Sequence, residues 1–358
     1  MTGAHHFRII IPVKELNDNI QKCLIYISVQ RHTNYSVFLL PNTYLHYSEN
    51  TVVHGAELSN DPYFFLLPCF PAIRDKLNII PTGKKSPAVK RDLAAFTGPS
   101  DNDCEILAFI DDDAYPAADW LSNANNILQN SAIHGIGGPA VTPDDDSFLA
   151  KASGIVFESF FGGGTCRYRY RPTGSQKKID DFPSVNLLIR RDAFLASGGF
   201  DSNFWPGEDT KFCLDFTKAG YSLLYSPDVS VMHHRRKLFI PHLRQIAGYG
   251  LHRGYFVRKF PRTSCRAGYF LPSVLVLFFI FGFLLTGILS ERFPSSRLVF
   301  FYSIIIYIFL CIFDCYRVSG KPHTAVIAGL GVIATHAVYG TQFLRGVLFK
   351  RDLISTLR

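Results

Sequence analysis

The chain has 358 residues, a net charge of +8 and an apolar content of 47%. Residues up to about 261 have the mixed composition of a globular protein, whereas the later residues include long uncharged stretches. This division argues against a purely soluble protein and indicates a membrane-attached one. The eight cysteines include no CxxC pair and no disulfide-framework spacing, so we expect reduced thiols in a cytosolic compartment.

The first two thirds of the chain alternate short apolar runs with helical patterns, which predicts an α/β sheet with crossover helices. We expect no signal peptide, because Met1 to Arg8 lead directly into a strand. The predicted strands cover residues 7–11, 37–40, 77–80, 106–110, 133–137, 185–189 and 222–225. The predicted helices include residues 17–29, 88–96, 119–130 and 210–219. No GxGxxG or P-loop motif occurs, so a bound phosphate must be held by a metal, by basic side chains or by both.

Three acids, Asp111, Asp112 and Asp113, follow directly after the apolar strand at residues 106–110. A strand of a parallel sheet delivers its carboxyl end to the ligand crevice, so we expect these carboxylates to be directed at a site. An enzyme that handles a nucleotide diphosphate must neutralise charge on the departing phosphate, and Mg²⁺ or Mn²⁺ held by carboxylates does this. We expect one of Asp111 and Asp113 to face a nucleoside and the other to face a metal.

A second acidic run, Asp144 to Asp146, serves as an internal control. It follows a Thr-Pro pair and precedes Ser147, and no strand leads directly into it. We therefore interpret it as a turn and helix cap without a catalytic role.

A glycine run at residues 162–164 and the alternating sequence Arg-Tyr-Arg-Tyr-Arg at residues 167–171 predict a mobile loop that leads into a basic strand. One interpretation is an edge strand whose arginines deter pairing with other strands. The other is a lid or a contact for an acceptor substrate. The sequence leaves both open.

Glu208 and Asp209 follow Pro206-Gly207 and precede a predicted helix at residues 210–219. A hydroxyl that attacks a sugar must lose a proton, so a carboxylate within hydrogen-bond reach is required, and Asp209 is our candidate for the general base. A position at a helix N-terminus favours the ionised carboxylate. Glu208 is the second candidate and could hold the acceptor, while structural capping is the alternative for both.

His233, His234, Arg235 and Arg236 follow a predicted apolar strand at residues 229–232. An imidazole could complete a metal shell, and we assign this role to His234 without excluding His233. The guanidinium groups of Arg235 and Arg236 could clamp a diphosphate bidentately. The alternative is that the whole cluster is a basic patch at a membrane interface.

Between His233 and Arg266 there are nine Lys or Arg residues and no Asp or Glu, which leaves −1 for the rest of the chain when nine is subtracted from +8. Because this segment directly precedes an apolar stretch, attraction to anionic lipid head groups is favoured over nucleic-acid binding. Apolar residues interleave with the bases, as in helices that lie in a membrane interface. Pro241, Gly248, Gly250 and Gly254 argue against one long rigid helix.

Three apolar segments follow, at residues 267–290, 298–313 and 322–344. The first is long enough to cross a bilayer, the second is short for a full span, and the third carries two histidines together with glycines that suit close helix packing. Three complete spans from a cytosolic domain would place the basic C-terminal tail outside, against the positive-inside rule, so the second or third segment is a candidate re-entrant segment. The predicted domains are residues 1–232, 233–266, 267–349 and 350–358.

Four motifs in order resemble the GT-A glycosyltransferases of family 2, best the membrane-attached bacterial and archaeal members. They are Ile11 to Glu15, Ile110 to Pro116, Gly198 to Asp201 and Gly207 to Asp209. The resemblance covers roughly residues 7–236. It implies a GT-A fold, a Rossmann-like and mostly parallel sheet followed by transmembrane helices, and an inverting transfer from a nucleotide-diphosphate sugar with a divalent metal.

The resemblance also implies roles for particular residues. Pro12 and Val13 would border the nucleobase, Asp111 and Asp113 would serve the ribose and the metal, and Asp209 would be the base. Many relatives end the second strand with a pair of acids that contact the base, whereas this chain has Asn42, which leaves the donor base open.

A basic pair, Lys90 and Arg91, resembles the family's stretch that approaches the nucleoside. The alternative for this pair is a solvated first turn of a helix.

These features predict a membrane-anchored glycosyltransferase with a catalytic domain on the cytosolic side of the cell membrane. Its donor would be a nucleotide-diphosphate sugar and its acceptor lipid-linked or membrane-proximal, because an anchor suits an acceptor that cannot leave the bilayer. A nucleotidyltransferase of the same fold is an alternative, although its usual glycine-rich loop after the first strand is absent. A membrane-bound polyanion-binding protein is another, but it gives no reason for acids at a strand end.

Overall fold

The computed structural model describes residues 4–58, 61–97, 104–289, 293 and 295–353. The chain divides by its contacts into two units, and the described residues of the first unit are 4–58, 61–97, 104–141 and 171–233. The described residues of the second unit are 142–170, 234–289, 293 and 295–353. From the sequence we assign residues 142–170 to the catalytic domain, whereas by contacts they belong with the helices that follow residue 233.

Twelve strands lie in the described part of the chain, and all belong to the first unit. They are β1 (Phe7–Pro12), β2 (Tyr35–Leu40), β3 (Val53–His54), β4 (Leu77–Ile79), β5 (Ile106–Ile110), β6 (Ala114–Pro116), β7 (Gly135–Gly137), β8 (Ala140–Val141), β9 (Lys177–Ile179), β10 (Asn186–Arg190), β11 (Leu223–Tyr225) and β12 (Val231–His233). All seven strands predicted from the apolar runs are present; the strand at residues 106–110 has the predicted bounds, and the other six have shifted ends.

The described α-helices are α1 (Asp18–Ser28), α2 (Pro62–Phe65), α3 (Phe70–Ile73), α4 (Pro87–Phe96), α5 (Trp120–Leu128), α6 (Phe148–Glu158), α7 (Phe160–Gly163), α8 (Arg191–Ala196), α9 (Glu208–Lys218), α10 (Ile240–Lys259), α11 (Pro261–Ser264), α12 (Ala267–Leu289), α13 (Ser295–Ser319) and α14 (Pro322–Leu348). The four helices named from the sequence are all present. Side-chain caps define two of their starts: Asn17 accepts from two backbone N–H groups of α1, and Ser86 accepts from Val89 of α4.

Nine strands of the first unit form one sheet in the order β3-β4-β2-β1-β5-β10-β7-β11-β9. Strands β4, β2, β1 and β5 are parallel to one another, and β10 runs antiparallel to β5 and β7. The chain builds outward from β1 through β2 and β4, and then returns to the other side of β1 as β5. Open α/β sheets bind ligands outside the carboxyl ends of the strands at such a switch point.

Every residue of β1 and β5 is buried, as expected for strands covered on both faces. The strand that leads into the three acids is therefore a central one, as its unbroken apolar sequence predicts.

A second, three-stranded sheet has the order β6-β12-β8. In it β12 runs antiparallel to β6, so that His233 pairs with Ala114. This strand ends one residue later than the predicted strand at residues 229–232. The pairing determines which of the two neighbouring histidines faces the acids.

The predicted loop and basic strand at residues 162–171 are wrong. Residues Phe160–Gly163 form α7, and Gly164–Arg169 form a 3₁₀ helix. The Ser159 hydroxyl accepts from Gly162 N–H at 3.0 Å and caps this helical run. The alternating sequence indicates a strand by its period of two, but a local cap and short-range backbone bonds produce helical turns instead.

In the second unit, α12, α13 and α14 are long and apolar enough to cross a membrane. The helix α13 has 25 residues, so it extends beyond the predicted apolar run of residues 298–313 on both sides. The helix α14 has 27 residues and is continuous. Each of the two segments that we considered as re-entrant is thus one unbroken helix.

Two polar side chains within these apolar helices bind the backbone N–H and carbonyl groups of one residue, Phe161. Asp314 of α13 accepts from Phe161 N–H at 2.9 Å, and His336 of α14 lies 2.8 Å from the Phe161 carbonyl oxygen through Nε2. A carbonyl only accepts, so Nε2 carries the proton and Nδ1 of the neutral ring accepts from the Tyr307 hydroxyl at 2.8 Å. Polar groups in a membrane span are costly without partners, and these have partners.

The prediction that glycines interrupt the basic segment is wrong, because α10 is one helix of 20 residues. Its glycines are packing positions. A methyl group added at Gly250 would lie 2.7 Å from the Tyr339 carbonyl oxygen, and one at Gly254 would lie 2.1 Å from the Phe343 carbonyl oxygen. The absence of side chains at these positions lets α10 approach the backbone of α14 closely.

Candidate active site

Two carboxylates and one imidazole gather where β5 ends. The ligand atoms of Asp111, Asp113 and His233 all lie within 4.8 Å of one another. His233 Nε2 is 3.1 Å from Asp113 Oδ1, because the pairing of β12 with β6 places His233 beside the turn that carries the acids. The three side chains are partly exposed, so a ligand can reach them.

The donor set fits a divalent cation. Carboxylate oxygens are the ligands that Mg²⁺ and Mn²⁺ prefer, and one imidazole is a common addition. The electrostatics of the acidic run agree with a bound cation. Burial, and then the negative charges of Asp113 and Asp111, raise the pKa of Asp112 to about 6. The predicted association of Asp111 with Asp113 is present in the geometry.

The structure places His233, and not the predicted His234, with these acids. His234 Nδ1 lies 2.7 Å from Asp146 Oδ1, and the other oxygen of Asp146 accepts from Arg235 N–H at 2.9 Å. The physical reason is the alternation of side chains along β12, which sends successive residues to opposite sides. No local signal in the sequence selects His233, because the pairing of β12 with β6 sets where this strand ends.

The predicted turn at residues 144–146 is correct, and Ser147 caps α6 by accepting from Ala150 N–H at 3.4 Å. Sequence reasoning missed the role of Asp146. Its side chain is buried and orients His234 and Arg235 within the second unit.

Arg91 joins the two acidic motifs of the first unit. Its guanidinium donates to Asp111 Oδ1 at 2.5 Å and to Glu208 Oε1 at 3.3 Å, and its side chain is only 4% exposed. The interpretation of Lys90 and Arg91 as a solvated helical turn is therefore wrong, because both are buried. Burial and the neighbouring charge of Asp209 raise the pKa of Glu208, while Arg91 opposes this rise.

Lys90 gathers the predicted nucleoside residues. Its ammonium group donates to the Val13 carbonyl at 2.6 Å, to the Leu40 carbonyl at 3.0 Å and to Asn42 Oδ1 at 2.7 Å. Burial lowers the pKa of Lys90 to about 8. Because an ammonium has three donors, all are engaged by protein atoms, and Lys90 positions the ends of β1 and β2. Pro12, the last residue of β1, directly precedes Val13 at this junction.

An open cavity of about 360 Å³ lies beyond the same two strands. It is lined by Glu15, Leu16, Thr43, Tyr44, Leu45, Asp61, Pro62 and Tyr63. The Tyr44 hydroxyl donates to Asp61 Oδ2 at 2.5 Å, which fixes one side of the wall. The cavity thus adjoins the chain segments that carry Asn42 and Val13.

Asp209 lies in the first turn of α9, which begins at Glu208, two residues before the predicted start. Glu208 is buried, whereas Asp209 is half-buried and its Oδ1 accepts from Thr210 N–H at 2.7 Å. Of the two acids, Asp209 is the one with access to solvent, while Glu208 is engaged by Arg91.

The predicted diphosphate contacts of Arg235 and Arg236 stay a prediction. Arg235 donates through Nε to Thr142 Oγ1 at 3.2 Å, and its guanidinium lies over the rings of Phe157 and Tyr170. Arg236 is exposed.

A family model described as Glycosyl transferase family group 2 matches residues 106–314, which is more than half of the chain. Glycosyltransferase AglE of Haloferax volcanii is 26% identical over 236 residues, which cover 64% of this chain and 66% of that protein. A Methanococcus voltae protein is 23% identical over 243 residues, covering 66% of this chain and 68% of its own length. It is named dolichyl N-acetyl-alpha-D-glucosaminyl phosphate 3-beta-D-2,3-diacetamido-2,3-dideoxy-beta-D-glucuronosyltransferase.

Among solved structures, mannosyltransferase PcManGT from Pyrobaculum calidifontis, in complex with GDP-Man and Mn²⁺, is similar with a TM-score of 0.56 and 15% identity. The match covers 98% of this chain and 89% of that one, and it shows a shared GT-A-like fold. With acids at the end of a central strand, an Asp-Asp-His cluster beside them and a family match that begins at that strand, the chain belongs to glycosyl transferase family group 2.

Proposed function

We propose that the protein is an inverting glycosyltransferase that moves a sugar from a nucleotide-diphosphate sugar to a lipid-linked or membrane-proximal acceptor. The observation that carries this proposal is the cluster of Asp111, Asp113 and His233 at the switch point of the sheet. The Methanococcus voltae relative is named for action on a dolichyl-linked sugar phosphate, and the PcManGT structure holds GDP-Man and Mn²⁺. Both support the substrate class.

The donor would lie along the edge that joins the cavity to the acids. Val13 and Asn42 border the nucleoside, and Lys90 holds both in place. Because Lys90 occupies Oδ1 of Asn42, the amide presents its N–H groups to the base. Asp111, Asp113 and His233 would hold Mg²⁺ or Mn²⁺, which when bound neutralises charge on the leaving diphosphate.

The acceptor hydroxyl oxygen attacks the anomeric carbon as the bond from that carbon to the diphosphate breaks. The hydroxyl proton passes to the Asp209 carboxylate, and the nucleotide diphosphate leaves with the bonding electrons. We assign the role of base to Asp209 and not to Glu208, because Glu208 is buried against Arg91. Arg91 instead fixes the distance between the Asp111 and Glu208 segments.

We infer that the catalytic domain lies on the cytosolic side of the cell membrane. The nine bases between His233 and Arg266 adjoin the first apolar helix, and such clusters mark the cytosolic end of a span. Attraction of the same segment to anionic lipids stays a prediction.

The test uses the full chain in detergent with a panel of nucleotide sugars and membrane lipid extract, and it measures the nucleotide diphosphate released. Asp113→Asn is expected to reduce turnover by orders of magnitude at saturating Mg²⁺ or Mn²⁺. His233→Gln is expected to raise the metal concentration needed for half-maximal rate, because one of three ligands is lost.

Asp145→Asn is the matched control, since Asp145 is an exposed acid of the second acidic run. Wild-type activity of Asp113→Asn at saturating metal would contradict the proposed metal site. Absence of any nucleotide release across the panel would contradict the proposed function.

A further inference from the structure

Three arginine side chains of the second unit gather around one tyrosine. The Arg235 guanidinium carbon is 5.1 Å from the centre of the Tyr170 ring. Burial raises the pKa of the Tyr170 hydroxyl, and the charges of Arg169, Arg235 and Arg253 oppose that rise, so all three act on the same group. We call Arg169, Arg235 and Arg253 the arginine cluster. All three are half-buried.

The arginine cluster lies at the level where the first span begins. The Arg253 guanidinium carbon is 4.9 Å from the centre of the Tyr269 ring, and Tyr269 is the third residue of α12. Cys166 Sγ lies 3.9 Å from the Tyr269 hydroxyl, which joins the 3₁₀ helix to the same point. The start of a span is the depth of the head-group region, where the phosphate of a membrane lipid lies.

One arginine of the cluster is held in a defined orientation. The Thr142 hydroxyl accepts from Arg235 Nε and donates to Glu158 Oε1, each at 3.2 Å. Arg235 is also stacked on Phe157 and Tyr170. A guanidinium fixed in this way loses little freedom when it binds an anion, and its planar fork matches a phosphoryl group.

A buried hydroxyl adds a donor. The Tyr339 hydroxyl is buried and has no hydrogen-bond partner among the described residues. Its neighbours include Arg253, Tyr269 and Cys166. A buried donor without a partner is costly, and the Tyr339 hydroxyl would donate a hydrogen bond to a phosphoryl oxygen bound at the arginine cluster.

We propose that the arginine cluster binds the phosphate group of a lipid-linked acceptor. The inference rests on the proposed function, which supplies an acceptor of this class. The phosphoryl chemistry would also fit the diphosphate of the donor, and the depth of the cluster beside Tyr269 favours the lipid. The arginine cluster would act by binding the acceptor and would take no part in the proton transfer.

The experiment measures binding to the full chain in detergent, with farnesyl phosphate and farnesol as matched probes. Wild type is expected to bind farnesyl phosphate more tightly than farnesol. Arg253→Gln and Arg169→Gln are each expected to weaken farnesyl phosphate binding by at least about tenfold, as for a lost hydrogen bond to a charged group. Arg253→Lys is expected to be intermediate, because it keeps the charge and loses the fork.

Arg262→Gln is the control, because Arg262 is an exposed base of the same segment outside the cluster. It makes the same change in net charge and is expected to leave farnesyl phosphate binding unchanged. The unfolding midpoint of each variant without ligand separates a folding defect from a binding defect, and Arg169→Gln replaces Arg253→Gln if the latter unfolds.

UDP and GDP binding in the same variants distinguishes the two phosphate sources. Unchanged nucleotide binding with weakened farnesyl phosphate binding supports the proposal. Loss of nucleotide binding with intact farnesyl phosphate binding would assign the cluster to the donor and overturn it, as would equal binding of farnesyl phosphate and farnesol to wild type. The readout needs no turnover, so a failed transfer assay would count against the proposed function while the binding data decide the role of the cluster.

Discussion

Two adjacent cations, Lys90 and Arg91, organise the site of the first unit at the scale of single residues. Lys90 gathers backbone and side-chain oxygens at the ends of β1 and β2, and Arg91 bridges Asp111 and Glu208. Both are buried, and a buried charge is tolerated only when it is paired and hydrogen-bonded. The residues that we propose to contact the donor are thus held in place by Lys90 and Arg91, which the donor itself need not touch.

The first prediction at this scale concerns the general base. Asp209→Asn keeps the size of the side chain and an oxygen that can accept from Thr210 N–H, but it loses basicity. General-base catalysis contributes about 10²–10⁴-fold, so kcat should fall by that order while donor affinity barely changes. Transfer rates and nucleotide-sugar calorimetry on the same variant measure both quantities.

Asp215→Asn is the matched control, because Asp215 lies in the same helix and pairs with Lys211. If donor binding, rate and thermal stability of Asp209→Asn collapse together, Asp209 is a structural cap. If the rate stays within about threefold, well short of the expected loss, a different base must act, with Glu208 first.

The second prediction concerns pH. Burial raises the pKa of Asp92 to about 7, although its Oδ1 accepts from Phe200 N–H at 2.9 Å. An unfolded Asp releases its proton near pH 3.9, so between about pH 4 and pH 7 the folded state binds more protons and stability falls as pH rises. Asp92→Asn removes this loss and keeps the acceptor for Phe200. It should therefore be more stable than wild type at pH 8, with a difference that shrinks towards pH 5.

Thermal unfolding of the full chain in detergent at the two pH values measures the difference. Asp75→Asn is the control, since Asp75 is exposed and its variant makes the same chemical change at the surface. A difference between Asp92→Asn and wild type that is the same at pH 5 and pH 8 would refute the assignment.

At the scale of elements, the contact between α10 and α14 depends on glycines. A methyl group at Gly254 would meet the Phe343 carbonyl oxygen at 2.1 Å, whereas one at Gly248 of the same helix meets nothing within 4 Å. Gly254→Ala should destabilise the protein by about 1–3 kcal/mol, because the two backbones must separate. Gly248→Ala should be neutral or stabilising by up to about 1 kcal/mol, because Ala is the better helix former. Unfolding midpoints in detergent compare the pair, and an equal effect of the two substitutions would contradict the close crossing.

The elements also show what the sequence could predict. The unbroken apolar runs of β1 and β5 identify central strands because both faces are buried there. The alternating residues 167–171 mislead, because the residues up to Arg169 form a 3₁₀ helix, and the Tyr170 ring packs against Phe157 and the Arg235 guanidinium. The glycines of α10 also mislead. In a sequence, a glycine is compatible both with a break in a helix and with the close packing of two helices. Only the presence of a partner helix distinguishes the two.

The positions of site residues were predictable where a local sequence pattern determines them. They were not predictable where the pairing of distant strands determines them. Asp111 and Asp113 follow a strand whose direction is evident, so their place at the crevice could be inferred. The choice of His233 over His234 depends on the pairing of β12 with β6, which joins residues more than a hundred positions apart. Arg91 reaches Glu208 across 117 positions, and no local signal marks that contact.

At the scale of the whole molecule, each unit is assembled from separate stretches of chain. The first unit is interrupted by residues 142–170, which pack with the helices that follow residue 233. The boundary predicted at residue 232 from composition places residues 142–170 with the strands, whereas by contacts these residues belong with the later helices. Composition predicts whether a segment lies in water or in a membrane. It does not predict which later segment will pack against an earlier one.

The hydrogen bonds of Phe161 have a consequence for the time course of synthesis. Its partners Asp314 and His336 are made 153 and 175 residues later. At about 5–20 residues per second, a nascent chain needs roughly 8–35 seconds to produce them. The strands of the first unit are all complete once residue 233 has emerged, so the sheet can close during this interval. Phe161 must therefore wait through this interval, because its two partners are not yet translated.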